Sequence, residues 1–270
     1  MKGLICCYSG TGNTRLACEA IARGVESVTF ELFDVVRDGV PDLTGVDLVG
    51  FAAFADFLGP PMRTKTFLQS LPAQRGKPAF VFDTYGGFNG KTLELLYRWT
   101  TAQGFRVVES HALHTPENYP PMIQRGRTFA DAPNPKELAA FEGFIAKLDA
   151  IGHALAAGEE VPRRRPPSGL FRFLPAIPRS QSRRTMGGKH VDPELCTECG
   201  VCREACPYGA IELTPRPVFN RAKCWGCWAC YNRCPTRAIY TRRLRGAGHY
   251  PEPNAALMAK LGADDPLARG

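Results

Sequence analysis

The run Leu4-Ile5-Cys6-Cys7-Tyr8-Ser9-Gly10-Thr11-Gly12-Asn13-Thr14-Arg15-Leu16-Ala17 decides the fold of the first half of the chain. Leu4 to Cys7 read as a short apolar strand. The chain breaks at Ser9 to Thr14, after which Leu16, Ala17, Ala20, Ile21 and Gly24 recur at helical spacing. Outward from this unit the same alternation repeats. Val28, Phe30 and Leu32 alternate as a strand, a buried strand runs from Val46 to Ala53, and Phe67, Leu68 and Leu71 suggest a short helix. Ala79 to Phe82 is a fourth strand, followed by a helix face of Leu93, Leu96, Tyr97 and Thr100. Phe105 to Val108 is a fifth, with Arg106 and Glu109 marking it as less buried. Leu138, Phe141, Ile145, Leu148 and Leu155 line a long closing helix. Strands and helices in alternation with short connections predict an α/β domain over residues 1–158, a doubly wound five-stranded parallel sheet.

The second half is governed by cysteine. Of 11 cysteines, eight fall between Cys196 and Cys234, a crowding that in a reducing compartment favours metal or cluster ligation over disulfides. Cys196, Cys199, Cys202 and Cys206 are followed by Pro207. Cys224, Cys227, Cys230 and Cys234 are followed by Pro235. Both runs are C-x2-C-x2-C-x3-C-P, and each ends in Ala-Ile, so the region is an internal repeat. Three thiolates two residues apart curl around one corner of an iron-sulfur cube, while the fourth points away to the neighbouring cube. The spacing therefore assigns Cys196, Cys199, Cys202 and Cys234 to one [4Fe-4S] cluster and Cys224, Cys227, Cys230 and Cys206 to the other. A pair of structural zinc sites, built from separated C-x2-C pairs, fits a doubled four-cysteine run poorly. The unit resembles bacterial-type two-cluster ferredoxins, and the resemblance implies one-electron transfer and a small pseudo-twofold α+β fold.

Between these halves residues 159–190 are rich in Pro, Arg and Ser, and read as an inter-domain linker. Residues 161–190 carry eight basic residues and no acid, a charge equal to the whole chain's net +8. Arg163, Arg164, Arg165, Arg183, Arg184 and Lys189, with the apolar Leu170 to Leu174, are expected either to form a solvated hinge or to dock an acidic partner or an anionic membrane surface. No basic stripe spreads over a folded face, so no nucleic acid is expected as a partner. No apolar run approaches the roughly 18 residues of a transmembrane segment, and the start reaches a glycine too soon for a secretory signal. The expected location is cytoplasmic. The ferredoxin-like unit is bounded at 191–246, and residues 247–270, dominated by Gly, Pro and Ala, read as a loosely held tail.

Ser9, Gly10, Thr11, Gly12, Asn13 and Thr14 lie between the first strand and first helix, where backbone N–H groups and the helix dipole bind an anion. There is no Lys of a triphosphate loop and no G-x-G-x-x-G, so a single terminal phosphate suits the loop best. Gly90-Lys91-Thr92 has the ending of a triphosphate loop, but Tyr85 stands where that motif needs Gly. In the pattern [ST]-x-T-G-x-[TS] the chain resembles flavodoxins, whose corresponding loop holds the phosphate of FMN. That resemblance implies that Phe54 or Phe57 flanks the flavin ring. It also implies that the loop Tyr85, Gly86, Gly87, Phe88 presents the amides of the two glycines to the ring's edge. His114, Asn118 and Tyr119 follow the fifth strand near that edge.

The two halves together resemble fused flavodoxin/ferredoxin electron-transfer proteins. The implied function is a relay between two [4Fe-4S] clusters and FMN, linking a soluble one-electron donor to a redox enzyme, with redox proteins as donor and acceptor. The alternative is a flavin-dependent reductase of a small quinone-like or tetrapyrrole-like molecule, fed by its own clusters.

Overall fold

A computed structural model describes residues 1–167 and 186–262. The first domain is a five-stranded sheet of β1 (Lys2–Cys7), β2 (Thr29–Asp34), β3 (Leu48–Phe54), β4 (Pro78–Tyr85) and β5 (Arg106–His114). All neighbouring pairs are parallel, in the order β2-β1-β3-β4-β5. This is the flavodoxin-like doubly wound order, whose crevice opens at the carboxyl ends of β1 and β3. Helices α1 (Asn13–Gly24), α2 (Met62–Ser70), α3 (Thr92–Ala102), the single turn α4 (Pro120–Ile123) and α5 (Pro135–Ala156) fill the crossovers.

Strand residues alternate between two cores, as the period of two requires. Ile5, Phe80, Phe82 and Val108 face α1 and α5, where Leu16, Ile21, Phe141, Phe144 and Leu148 meet them. Leu4, Cys6, Val49, Phe51, Ala79 and Val81 face the other way, onto Phe67, Leu68, Leu96 and Phe105. Burying each large side chain of this kind contributes about 1.5–3 kcal/mol. Helix α5 starts with a capping box, in which Asn134 accepts from the Glu137 N–H while the Glu137 carboxylate accepts from the Asn134 N–H.

Strand β5 runs further than the sequence suggests and ends on His114, because its later residues lie half-buried on an edge strand and do not read as an apolar run. The start of the linker is tied down. The Arg164 N–H donates to the Val107 carbonyl at 2.9 Å, its guanidinium pairs with Glu109 at 3.3 Å, and Val161 is buried. Arg163 and Arg165 are exposed, whereas Leu170 to Leu174, Arg183 and Arg184 lie outside the described residues.

The C-terminal module consists of two antiparallel ribbons, β6 (His190–Val191) with β9 (Ile239–Tyr240) and β7 (Ile211–Leu213) with β8 (Pro217–Phe219), and two single-turn helices, α6 (Val201–Glu204) and α7 (Ala229–Asn232). The sequence repeat is a structural one. Glu198, Gly200 and Gly209 have positive φ, and so do Gly226, Trp228 and Arg237, each 28 residues on. The Asp192 carboxylate accepts from the Glu194 N–H as the Asn220 side chain does from Ala222, and the Cys196 and Cys224 N–H groups return to the carbonyls of Asp192 and Asn220.

Residues 247–262, read from composition as a loose tail, are instead a strap across the first domain. It ends in helix α8 (Ala255–Lys260), capped by the Asn254 side chain, with Leu257 and Leu261 buried in the core beside α1. The Arg23 guanidinium donates to the Leu261 carbonyl at 2.7 Å. Gly and Pro made the segment look unstructured, but two leucines four apart are enough to anchor one helical turn.

Candidate functional site

The eight repeat cysteines gather into two sets of four. Cys196, Cys199, Cys202 and Cys234 line one cavity of about 340 Å³, open mouth included. Cys206, Cys224, Cys227 and Cys230 line a second of about 330 Å³. Each set takes three thiols from one run and the fourth from the other. The left-handed residues Gly200 and Trp228 turn the chain so that successive thiols face inward. The Ala238 N–H donates to Cys234 Sγ at 3.2 Å and the Ala210 N–H to Cys206 Sγ at 3.3 Å, bonds that favour thiolate. Burial raises the Cys202 thiol, with the charges of Cys234, Cys199 and Cys196 adding to it. Burial pushes the Cys227 thiol up to about 12, with Asp56, Cys206 and Cys224 adding. Thiols grouped this closely are costly as anions unless a cationic centre lies among them. Four sulfurs wrapped around a cavity rather than converging on a point suit a cube better than a single ion.

Lys189 heads the module and lines the second cavity. It is buried, its Nζ lies 3.3 Å from the centroid of the Trp228 ring, and that nitrogen has no hydrogen-bond acceptor among the described residues. Burial lowers its pKa, and the charges of Cys230, Cys224 and Cys227 oppose the fall. The sequence groups Lys189 with the exposed linker arginines; its burial removes it from any docking surface, since the linker's basic run continues into the first residue of a packed module.

The Ser9–Thr14 loop sits at the carboxyl end of β1. Gly12 takes φ 110°, and a Cβ there would come within 2.6 Å of the Pro253 ring, so the strap presses on the loop. Most of its side chains have protein partners. Ser9 Oγ accepts from the Gly12 N–H at 3.1 Å and Thr11 Oγ1 from Asn118 Nδ2 at 2.9 Å, while the Thr14 and Thr84 hydroxyls lie 2.8 Å apart. Asn13 donates to the Pro116 carbonyl and accepts from the Tyr250 hydroxyl. The N–H groups of Asn13, Thr14 and Arg15, in the first turn of α1, lack intrahelical acceptors. Thr11, Asn13 and Thr14 are nevertheless buried. Buried donors at a helix N-terminus call for an acceptor, so this end fits a phosphate.

Of the expected ring-contact residues, Phe54 lies against this loop, its ring 3.5 Å from where a Cβ on Gly10 would stand. Phe54 packs edge-on against Tyr8 at 5.1 Å. Phe57, at φ 57°, packs with Tyr119 against the core of the cysteine module, where the Tyr119 and Trp228 rings are 6.0 Å apart. The Gly87 N–H donates to Glu117 Oε2 at 2.9 Å, and a Cβ on Gly86 would lie 2.6 Å from the same oxygen. Tyr85 stacks on His114 at 5.2 Å, and Phe88 is exposed. For a flavin ring between these loops, as they stand, the residues do not fit. Glu117 carried no signal in the sequence, because it reaches Gly87 from 30 residues away.

What fills this end is the cysteine module itself. The Arg233 Nε donates to the Gly10 carbonyl at 3.1 Å, and Asn232 Nδ2 donates to the Asn118 carbonyl at 2.9 Å. Burial raises the Tyr8 hydroxyl, and Cys227, Tyr208, Asp56 and Cys206 add to it, so the second cysteine set is the one beside the sheet. A cleft of about 900 Å³, open mouth included, remains at the junction, lined by Tyr8, Ser9, Arg37, Pro207 and Arg233 among others.

The 4Fe-4S binding domain family matches residues 189–212 and 217–240. The polyferredoxin protein MvhB of Methanothermobacter marburgensis is 43% identical over 49 residues, 18% of this chain and 12% of that protein. An uncharacterized ferredoxin of Methanocaldococcus jannaschii is 33% identical over 60 residues, 20% of this chain and 78% of that one. An archaeal flavodoxin structure aligns with 57% of this chain and 99% of its own at 18% identity, with a TM-score of 0.42. Matched over both repeats and across most of a small ferredoxin, the chain belongs to the 4Fe-4S ferredoxin family, with its cluster-binding module seated on a domain of flavodoxin-like topology.

Proposed function

We propose that the chain is an electron-transfer protein carrying electrons through two [4Fe-4S] clusters, one on Cys196, Cys199, Cys202 and Cys234 and one on Cys224, Cys227, Cys230 and Cys206. The observation that carries this reading is the pair of cavities, each lined by four cysteines drawn from both repeats. Clusters of this kind supply one-electron exchange when bound. The chain's part is to hold the thiolates, supply N–H groups to Cys206 and Cys234, and keep water out with Trp228, Ile211 and Ile239. A redox protein would serve as donor and another as acceptor.

The Ser9–Thr14 loop is proposed to hold the phosphate of an FMN, supported by the buried residues Asn13 and Thr14 in the first turn of α1, whose N-terminus has no side-chain cap. A bound FMN would add two-electron chemistry to one-electron carriers. Because the ring-contact residues do not fit as placed, no role is assigned to Phe54, Phe57, Tyr85, Gly86, Gly87 or Phe88. A second reading, reduction of a small organic substrate, is favoured by the junction cleft, whose wall carries Arg15, Arg37 and Arg233 together with Asp34 and Glu204.

Anaerobic purification with iron, sulfide and flavin counts tests both parts. About eight iron and eight sulfide per chain are expected from two cubes. Zinc in place of iron, or colourless protein, refutes the cluster reading. Clusters without flavin refute only the FMN assignment.

A further inference from the structure

We infer that Lys189 sets the reduction potential of the cluster held by Cys206, Cys224, Cys227 and Cys230, and of that cluster alone. The inference rests on the two-cluster reading above. Its basis is a break in the internal symmetry. Residues 28 apart stand at equivalent places around the two cavities: Val191 and Phe219, Ala238 and Ala210, Ile239 and Ile211. The sulfur hydrogen bonds match as well, at 3.2 Å from Ala238 and 3.3 Å from Ala210. Other pairs differ in side chain, among them Glu198 at the first cavity for Gly226 at the second, but Glu198 is exposed and pairs with Arg216; at one pair the difference is a buried charge. Pro217 lines the first cavity, and its equivalent at the second is Lys189.

A buried ammonium with no hydrogen-bond acceptor is unfavourable unless an anion answers it. The face of Trp228 offers part of that answer. The four thiolates of the second cavity offer the rest. Reducing a thiolate-ligated cube adds one negative charge, taken from a one-electron donor, with no bond made or broken at the lysine. A cation in the cavity wall stabilises the reduced form more than the oxidised one and raises the potential. Solvent exposure works in the opposite direction here. Cys199 of the first set is exposed, whereas no cysteine of the second set is. The drier second cluster would therefore be the harder to reduce without Lys189. With it, the electron rests on the cluster that neighbours Tyr8 and Asp56, at the junction with the sheet.

The test is an anaerobic dithionite titration of the full chain, with the two clusters followed by low-temperature EPR. Lys189→Met is expected to lower one midpoint by at least tenfold in its reduction equilibrium, about 59 mV for a one-electron couple, and to leave the other in place. Pro217→Lys is expected to raise the midpoint of the other cluster. Arg242→Gln, which removes an exposed charge from the same module, should move neither. Equal movement of both clusters in Lys189→Met, or no movement in either cavity variant, overturns the inference. Should Lys189→Met lose iron, Pro217→Lys decides alone. Wild-type protein lacking two clusters by iron and sulfide count would instead bring down the reading on which the inference rests.

Discussion

Asn232 fastens three segments with one side chain, and replacing it should loosen the junction between the two modules. It is buried on α7, donates Nδ2 to the Asn118 carbonyl at 2.9 Å and accepts at Oδ1 from the Tyr250 N–H at 3.2 Å. It thereby joins the cysteine module to the loop after β5 and to the strap. Asn232→Ala removes two hydrogen bonds, each contributing about 1 kcal/mol net, and leaves a carbonyl and an N–H without their partner. The expected cost is at least about 2 kcal/mol, rising toward about 4 kcal/mol if water does not reach the stranded groups. At 1.4 kcal/mol per factor of ten, the lower figure opens the junction about 30-fold more often. Hydrogen exchange read by mass spectrometry should show that acceleration in peptides spanning residues 116–119 and 248–254, with the sheet strands unchanged. Asn232→Asp should be at least as damaging, because a carboxylate oxygen would then face the Asn118 carbonyl. Exchange at wild-type rates in both peptides would refute the view that this side chain holds the modules together.

Other outcomes follow from the same structure. Cys206→Ser should abolish the cluster whose midpoint responds to Lys189→Met and spare the other, as read by EPR; loss of the other one would reverse the crossed assignment. Leu257→Ala empties a fully buried site under α8 and should cost about 2–5 kcal/mol in urea unfolding. His111, stacked 5.1 Å from Phe144, has its pKa lowered by burial from 6.5 to about 4, with Lys147 adding to the fall. Its folded value lies below its unfolded one, so the stability it contributes is complete above pH 6.5 and is lost as pH falls toward about 4. A His111→Phe variant should flatten that part of the stability–pH curve. Asp149 accepts from the Ser27 and Glu26 N–H groups at 2.7 and 2.8 Å, and these bonds lower its pKa below the ordinary 3.8. Its contribution is present above that value and lost as pH falls below it, and Asp149→Asn should remove this part of the acid sensitivity.

The parts of the fold legible in the sequence are those fixed by short-range pattern. The apolar strand Leu4–Cys7, the turn at Gly12 and the helix beginning at Asn13 lie within one local window, and the order of such units leads to the observed sheet. The cysteine sets were legible because ligand spacing is itself a geometry. What the residues did not disclose depends on partners far away in sequence. The Gly87 N–H meets Glu117, Phe57 packs on the core of the cysteine module, and Gly12 meets Pro253; none of these pairings leaves a periodic trace. Lys189 was hidden for a related reason, since a charge at the edge of a basic run looks like one more solvated residue until the fold closes over it.

The strap has a consequence for how the protein comes to exist. Leu257 and Leu261 complete the packing beside α1, and the Leu261 carbonyl is bound by Arg23, so residues from the two ends of the described chain finish one core. A nascent polypeptide still lacking those residues carries a sheet domain with an uncovered apolar groove. The cysteine module lies in sequence between that domain and these residues, so seating the strap closes a loop of chain that holds all eight repeat cysteines.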